Sequence, residues 1–310
     1  MGNSAGKILV IRGGAIGDFI LTLPVLTALR LQFPDVAIEV LGYRHIVQLA
    51  RAGGLADAVH NIEAATLSGF FARGGTLDTA LQDYFGGFAL IVSYLYDPDE
   101  IFHTNVARCS KAQFIAGPHR PQETGLLHAT DVFLRPLERL AIFDADPVPR
   151  LKLSGTTNHP RKTLALHPGS GSESKNWPEA SWAELMKLLL QESDYDLLLV
   201  GGEAEGNRLE RLAGNLPPER VCLAHNLSLC ELAQELAECV GFAGHDSGIT
   251  HLAAALELRT LVLWGPSVES VWRPRSERVN VVVSPSGLGN LSARRVATEL
   301  SHWIFQGRVA

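Results

Sequence analysis

The stretch His245-Asp246-Ser247-Gly248-Ile249-Thr250-His251-Leu252-Ala253-Ala254-Ala255-Leu256 reads as the end of a buried strand, a short turn and a helix of small residues. Asp246 is placed to cap that helix, and Gly248 lets a ligand approach the backbone closely. The first amides of such a helix and the positive end of its dipole suit a diphosphate, and His251 adds a donor within the first turns. Taken alone, the turn is equally an ordinary helix start. A second Gly/Ser loop upstream, near 167–178, turns the balance toward anion binding.

Working outward, short apolar strands alternate with amphipathic helices twice over. In the first half the pattern predicts strands at 7–12, 36–41, 57–60, 88–93 and 112–115, and helices at 17–32, 44–52, 98–108 and 126–141. In the second it predicts strands at 163–167, 196–201, 220–223, 240–244, 260–263 and 279–283, and helices at 178–191, 204–213, 228–237, 248–256 and 291–304. Such alternation calls for parallel sheets covered by helices on both faces. The Pro-, Asp- and Arg-rich stretch 144–150, continued by 154–162, reads as the linker. The expected organisation is an N-terminal domain, 1–150, and a C-terminal domain, 151–310. Both are doubly wound α/β domains that face a central cleft, where such folds bind ligands. The last helix, near 291–304, is assigned a return to the first domain.

Composition narrows the class. The chain has 310 residues, 46% hydrophobic and 19% charged, with a net charge of −6. This is ordinary for a folded α/β protein and argues against nucleic acid as a partner, which calls for basic patches. The N-terminal apolar run Ile8-Leu9-Val10-Ile11 is interrupted by Arg12 and Asp18, as in a strand and turn rather than a secretion signal. No run reaches the length needed to span a bilayer. Cys109, Cys222, Cys230 and Cys239 form no CxxC pair and read as buried thiols of a reducing compartment. A cytoplasmic protein is expected, with peripheral contact on the cytoplasmic face of an inner membrane left open.

Four turns at strand ends carry the chemistry. Arg12-Gly13-Gly14-Ala15-Ile16-Gly17-Asp18 has arginine where a dinucleotide fingerprint needs its first glycine, and Glu39, near the ribose-acid spacing, falls inside the next strand. Asp18 is then either an acid that complements a helix dipole or a general base at a helix start. In His167-Pro168-Gly169-Ser170-Gly171-Ser172-Glu173-Ser174-Lys175-Asn176-Trp177-Pro178, glycines and hydroxyls can wrap an anion and Lys175 can neutralise it. There is no GK[ST] ending, so this is not a Walker A loop. In Val200-Gly201-Gly202-Glu203, Glu203 is either a helix-start acid or an acceptor for ribose hydroxyls. Leu263-Trp264-Gly265-Pro266-Ser267 lies at another strand end, with Trp264 and Trp272 read as packing residues. No metal is expected: there is no HExxH motif or Cys/His cluster, and Asp97-Pro98-Asp99 reads as a turn. No GxSxG elbow is present.

These motifs resemble glycosyltransferase family 9, whose best-known members are the ADP-heptose:lipopolysaccharide heptosyltransferases. The resemblance rests on IRGGAIGD…LTLPVLTALR, HPGSGSESKNWPE and GHDSGITHLAAAL…LVLWGPS in that order, and covers nearly the whole chain. It implies a GT-B fold of two Rossmann-like domains, with the acceptor on the N-terminal and the nucleotide-sugar on the C-terminal domain. It implies inverting transfer without a metal or other cofactor. Asp18 matches the family's catalytic base. Lys175, with Ser170 and Gly171, matches the donor-phosphate loop. Glu203 aligns with the acid on the ribose, and Leu227 with an apolar contact to adenine. Asp246, Ser247, Gly248 and His251 match the signature at the diphosphate and sugar. His245 stands where small or amide side chains are common, Ser247 replaces a threonine, and the acceptor half has few basic residues over 60–107, with Arg73 and then Arg108 at its edge. The implied partners are ADP-heptose and a lipid-linked or core-oligosaccharide acceptor of lipopolysaccharide. The alternatives are a non-catalytic nucleotide-sugar-binding protein, a nucleotide-sugar epimerase of similar fold and, last, an oxidoreductase.

Overall fold

The computed structural model describes residues 6–125, 127–155, 161–284 and 286–305. Two compact units divide the chain, Met1–Pro147 and Val148–Ala310. The residues after the division belong to the second unit: Leu151 is buried and donates its N–H to Ala255 O at 2.8 Å. Part of the stretch read as a linker, 156–160, lies outside the described residues.

The first unit holds strands β1 (Lys7–Arg12), β2 (Ile38–Gly42), β3 (Ala58–Asn61), β4 (Phe88–Ser93) and β5 (Gln113–Ala116). Its helices are α1 (Ile16–Ile20), α2 (Leu23–Gln32), α3 (Arg44–Ala52), α4 (Thr79–Gly86), α5 (Ile101–Ala107) and α6 (Ala129–Leu134). The strands pair in parallel in the order β3-β2-β1-β4-β5. Buried runs such as Leu9, Val10 and Ile11 are what a sheet covered on both faces requires.

Several elements depart from the sequence pattern. The single helix expected over 17–32 is two. Leu21 and Thr22 interrupt it, Thr22 Oγ1 donates back to Asp18 O at 2.8 Å, and Pro24 falls in the first turn of α2, where its missing N–H costs nothing. The helix expected over 98–108 starts only at Ile101, because Asp97 accepts the N–H groups of Phe102 (3.2 Å) and His103 (3.0 Å) from outside the helix. Helix α4 was not anticipated; Asp78 caps it by accepting Leu81 N–H. Glu39 lies inside β2, held by Lys7 at 2.7 Å and His60 at 2.8 Å.

The second unit holds β6 (Thr163–His167), β7 (Asp196–Gly201), β8 (Val221–His225), β9 (Gly241–His245), β10 (Thr260–Trp264) and β11 (Val279–Val283). Its helices are α7 (Glu179–Glu192), α8 (Arg208–Ala213), α9 (Leu229–Ala237), α10 (Gly248–Ala255), α11 (Glu269–Trp272) and α12 (Ala293–Leu300). The parallel order is β11-β10-β9-β6-β7-β8. The sheet core continues into the terminal helix, whose Ala293, Val296, Ala297 and Leu300 are buried with Leu185, Leu189 and Leu261. The expectation of buried thiols holds only for Cys239. Cys222 is exposed on the edge strand β8, and Cys109 and Cys230 are half-buried. Trp264 and Trp272 pack with Val262 and Val279, as expected of packing residues. Among the described residues no helix is long and apolar enough to cross a membrane.

Candidate functional site

In an open parallel sheet, ligands gather beyond the strand C-termini where the chain reverses its direction of winding. In the second unit that point lies between β6 and β9, which are hydrogen-bonded neighbours with His167 opposite Gly244. The loop after β6 carries Ser170, Gly171 and Lys175, and the turn after β9 carries Asp246 to His251. The topology therefore brings together the two stretches that the sequence singled out separately.

Their side chains meet. Lys175 Nζ lies 2.6 Å from Asp246 Oδ2, and Ser267, from the turn after β10, donates to the same oxygen at 2.5 Å. The Asp246 side chain is only 8% exposed. This corrects the expectation that Asp246 caps α10. The cap is Ser247, whose backbone is extended (φ −151°, ψ 163°) and whose Oγ accepts Thr250 N–H. Asp246 stands one residue too early, and its carboxylate is already engaged by a cation and a hydroxyl. The next helical residues, Gly248 and Ile249, open the helix, where the earliest amides have no partner inside it. His251 is buried in its first turns.

The loop after β6 is ordered by its own polar groups. Ser170 Oγ lies 2.8 Å from Ser172 O and 2.7 Å from Asn176 Oδ1, within donating reach of either. Gly171 has φ +73°, a conformation side chains rarely adopt. His245 holds the loop at its two ends, accepting Trp177 N–H on Nε2 at 2.8 Å and lying 3.2 Å from Gly169 O by Nδ1. Burial, chiefly, lowers its pKa to about 4. His167, beside Ser247 Oγ at 3.3 Å, is likewise lowered to about 4, by burial and then by the positive charge of Arg208.

Glu203 and Leu227 lie further out. Glu203 is exposed on a single turn that follows β7, and Leu227, 38% exposed, follows β8. Sequence reasoning missed Glu205, in the same turn as Glu203. Its side chain is buried, accepts Gly202 N–H at 2.7 Å and lies against Gly169, where a Cβ would fall 1.9 Å from its Oε1. The bare Gly169 was the available signal. Arg208 was missed as well; it donates to Pro168 O at 3.2 Å and to Glu173 at 2.8 Å, so it braces the loop from α8.

In the first unit, the switch point lies between β1 and β4, and Asp18 stands just beyond β1 within α1. Its Oδ2 accepts Ala15 N–H at 3.0 Å, and its side chain remains 28% exposed. The groove for that carboxylate is made by Gly14 (φ +97°), where a Cβ would approach Oδ2 to 2.8 Å. Behind it lies Arg12, 2% exposed. Its guanidinium donates to His119 O at 2.8 Å and to Asp18 O at 3.4 Å, lies 3.5 Å from Asp18 Oδ1, and sits over the Phe133 ring at 4.5 Å. Burial lowers the Arg12 pKa, and the neighbouring Asp18 works against that fall. A buried cation whose donors meet carbonyls and a carboxylate in this way fixes the polypeptide around it. Among the described residues no three His, Cys, Asp or Glu side chains are grouped to hold a metal ion.

The chain is 36% identical over 132 residues to lipopolysaccharide heptosyltransferase 1 of Pseudomonas aeruginosa, across 42% of this chain and 33% of that protein. It is 29% identical over 127 residues to lipopolysaccharide heptosyltransferase 2 of Escherichia coli, across 39% of this chain and 36% of that protein. These matches span about a third of the relatives' length. Among solved structures, the ADP-heptose lipopolysaccharide heptosyltransferase II of Escherichia coli superposes with a TM-score of 0.77 at 18% identity, covering 98% of this chain and 100% of that one. A family 9 glycosyl transferase from Veillonella parvula gives 0.78 at 16% identity, covering 99% of each. Escherichia coli heptosyltransferase WaaC with ADP gives 0.75 at 18% identity, covering 96% and 99%. The fold is thus the GT-B type of two α/β units. The family model described as glycosyltransferase family 9 (heptosyltransferase) matches residues 138–302, more than half of the chain and all of the loops around Lys175 and Asp246, so the chain belongs to glycosyltransferase family 9.

Proposed function

We propose that this protein is an inverting, metal-independent glycosyltransferase that moves a heptose from ADP-heptose to a lipopolysaccharide-core or related glycan acceptor. The observation that carries the reading is the meeting of Lys175 with Asp246 beside the start of α10, at adjacent strand ends of the second unit. A cation and helix amides in one place suit a diphosphate, and they supply the charge stabilisation that a metal gives elsewhere. Solved relatives carrying ADP and ADP-2-deoxy-2-fluoro heptose support adenine and heptose as the donor's parts.

The roles divide between the units. Asp18, on the first, takes the proton of the acceptor hydroxyl. The oxygen so freed attacks the anomeric carbon from the face opposite the diphosphate, and the bond from that carbon to the diphosphate oxygen breaks. ADP leaves with its new charge on Lys175 and the amides of α10, while Ser170, Gly171, Ser247, Gly248 and His251 line the diphosphate and sugar. Glu203 takes the ribose hydroxyls, and Leu227 packs on the adenine. A positioned base of this kind contributes about 10²–10⁴ in rate. The acceptor is lipid-linked or a core oligosaccharide, met at the cytoplasmic face of the membrane.

Incubation with ADP-heptose and a heptose-deficient lipopolysaccharide core, followed by mass analysis of both products, tests the reading. Acceptor heavier by one heptose together with free ADP supports it. Release of free or epimerised sugar without an acceptor favours the epimerase, and binding without turnover favours the binding protein.

A further inference from the structure

The loop from Gly169 to Trp177 is pinned at both ends by one side chain that stands outside it. The His245 ring, 0% exposed at the end of β9, accepts Trp177 N–H on Nε2 at 2.8 Å and faces Gly169 O across 3.2 Å from Nδ1. A backbone N–H can only donate and a backbone carbonyl can only accept. One form of imidazole satisfies both at once, the neutral ring with its hydrogen on Nδ1. Between the pinned ends lie Ser170, Gly171 and Lys175, and the only regular structure there is the single turn Glu173–Lys175. Lys175 is in turn held by Asp246, the residue next to His245.

The ring is fixed from several sides. Trp182 of α7 meets it edge-on, with centroids 5.5 Å apart, and Trp177, its hydrogen-bond donor, sends its own Nε1–H to Leu291 O at 2.9 Å. The charged or titratable groups that act on it are His167 at the end of β6, Arg208 of α8 and Asp246. Burial, chiefly, and the positive charge of Arg208 keep it uncharged, in accord with the form that the hydrogen bonds demand.

We propose that His245 is a positioning residue for the phosphate-binding loop: its neutral Nδ1–H ring sets the spacing of Gly169 and Trp177 and so places Lys175 and the amides of 170–172 for a nucleoside diphosphate. The identity of the ligand rests on the donor site proposed above; the clasp itself does not.

The test uses the full chain as wild type, His245→Leu, which keeps bulk but removes both hydrogen bonds, and His245→Asn, whose amide offers one donor and one acceptor. Long-range proton–nitrogen spectra of the wild type at neutral pH are expected to show a neutral ring protonated on Nδ1. Amide exchange over 170–177 is expected to rise about tenfold or more in His245→Leu, with β6 and β7 unchanged, and to rise less in His245→Asn. ADP is expected to bind about tenfold more weakly to the Leu variant and close to normally to the Asn variant. A ring protonated on Nε2, loop exchange unaltered in the Leu variant, or an Asn variant as loose as the Leu variant would each overturn the proposal. If His245→Leu does not fold, the wild-type ring and the Asn variant decide. Failure of the wild type to bind ADP would strike the donor reading alone, since loop exchange still reports on the clasp.

Discussion

Lys175 and Ser267 converge on a single carboxylate oxygen of Asp246, at 2.6 Å and 2.5 Å, from loops that follow different strands. The carboxylate is 8% exposed, and the Lys175 side chain is 32% exposed. Removing the hydroxyl leaves a buried charge with fewer donors. Ser267→Ala is expected to lower stability by about 1–2 kcal/mol, measured by urea unfolding. An unchanged midpoint would show that solvent replaces the hydroxyl freely.

Asp18→Asn removes the proposed base but retains a side-chain oxygen able to accept Ala15 N–H. Turnover should fall by about 10²–10⁴, while ADP affinity, which the proposal assigns to the second unit, should stay at the wild-type value. Turnover within about threefold of wild type would remove Asp18 from the role.

Gly14→Ala is a subtler probe of the same carboxylate. The new methyl meets Asp18 Oδ2 at 2.8 Å in a backbone with φ +97°, so the backbone or the acid must move. The strain should cost about 1–3 kcal/mol of stability, and a displaced base should lower kcat by about 10²-fold. Steady-state kinetics on the folded variant separate the effects. Loss of stability with kcat unaltered would show that the acid's position is not critical.

Stability should fall on mild acidification. His167 and His245 stay neutral in the fold, with pKa values lowered from 6.5 to about 4. Below pH 6.5 the unfolded chain takes up protons at these rings and the folded chain does not, which favours unfolding. The stabilisation is present above about 6.5 and drains away as the pH falls to about 4, by about 3 kcal/mol for each ring at most. Urea unfolding at pH 7 and pH 5 checks this, and His245→Asn should show the shallower dependence. Equal stability at both values would contradict it.

Much of the frame was legible in the sequence. The runs at 7–12, 88–93, 163–167 and 196–201 match β1, β4, β6 and β7 to the residue, because interior strands of covered parallel sheets are written as largely apolar runs. Short helices were harder. Helix α4 is only eight residues long and its stripe, Leu81, Tyr84 and Phe85, covers a single turn, and the break between α1 and α2 depends on a hydroxyl, Thr22, turning back on Asp18 O. In the site, Lys175 and Asp246 were visible as residue types next to glycines, whereas their pairing spans 71 positions. The neighbours Asp246 and Ser247 are both good caps, and only the backbone shows that Ser247 fills the place. His245 reads as an oddity in the sequence because its partners are 68 and 76 residues away.

The donor site proposed for the second unit is tested most directly by calorimetric titration of ADP into the wild type and Lys175→Ala. Saturable binding of one ADP to the wild type is expected, weakened about 10–100-fold in the variant by the loss of a charged hydrogen-bond partner. Equal affinity in the two proteins, or no binding to the wild type, would contradict it.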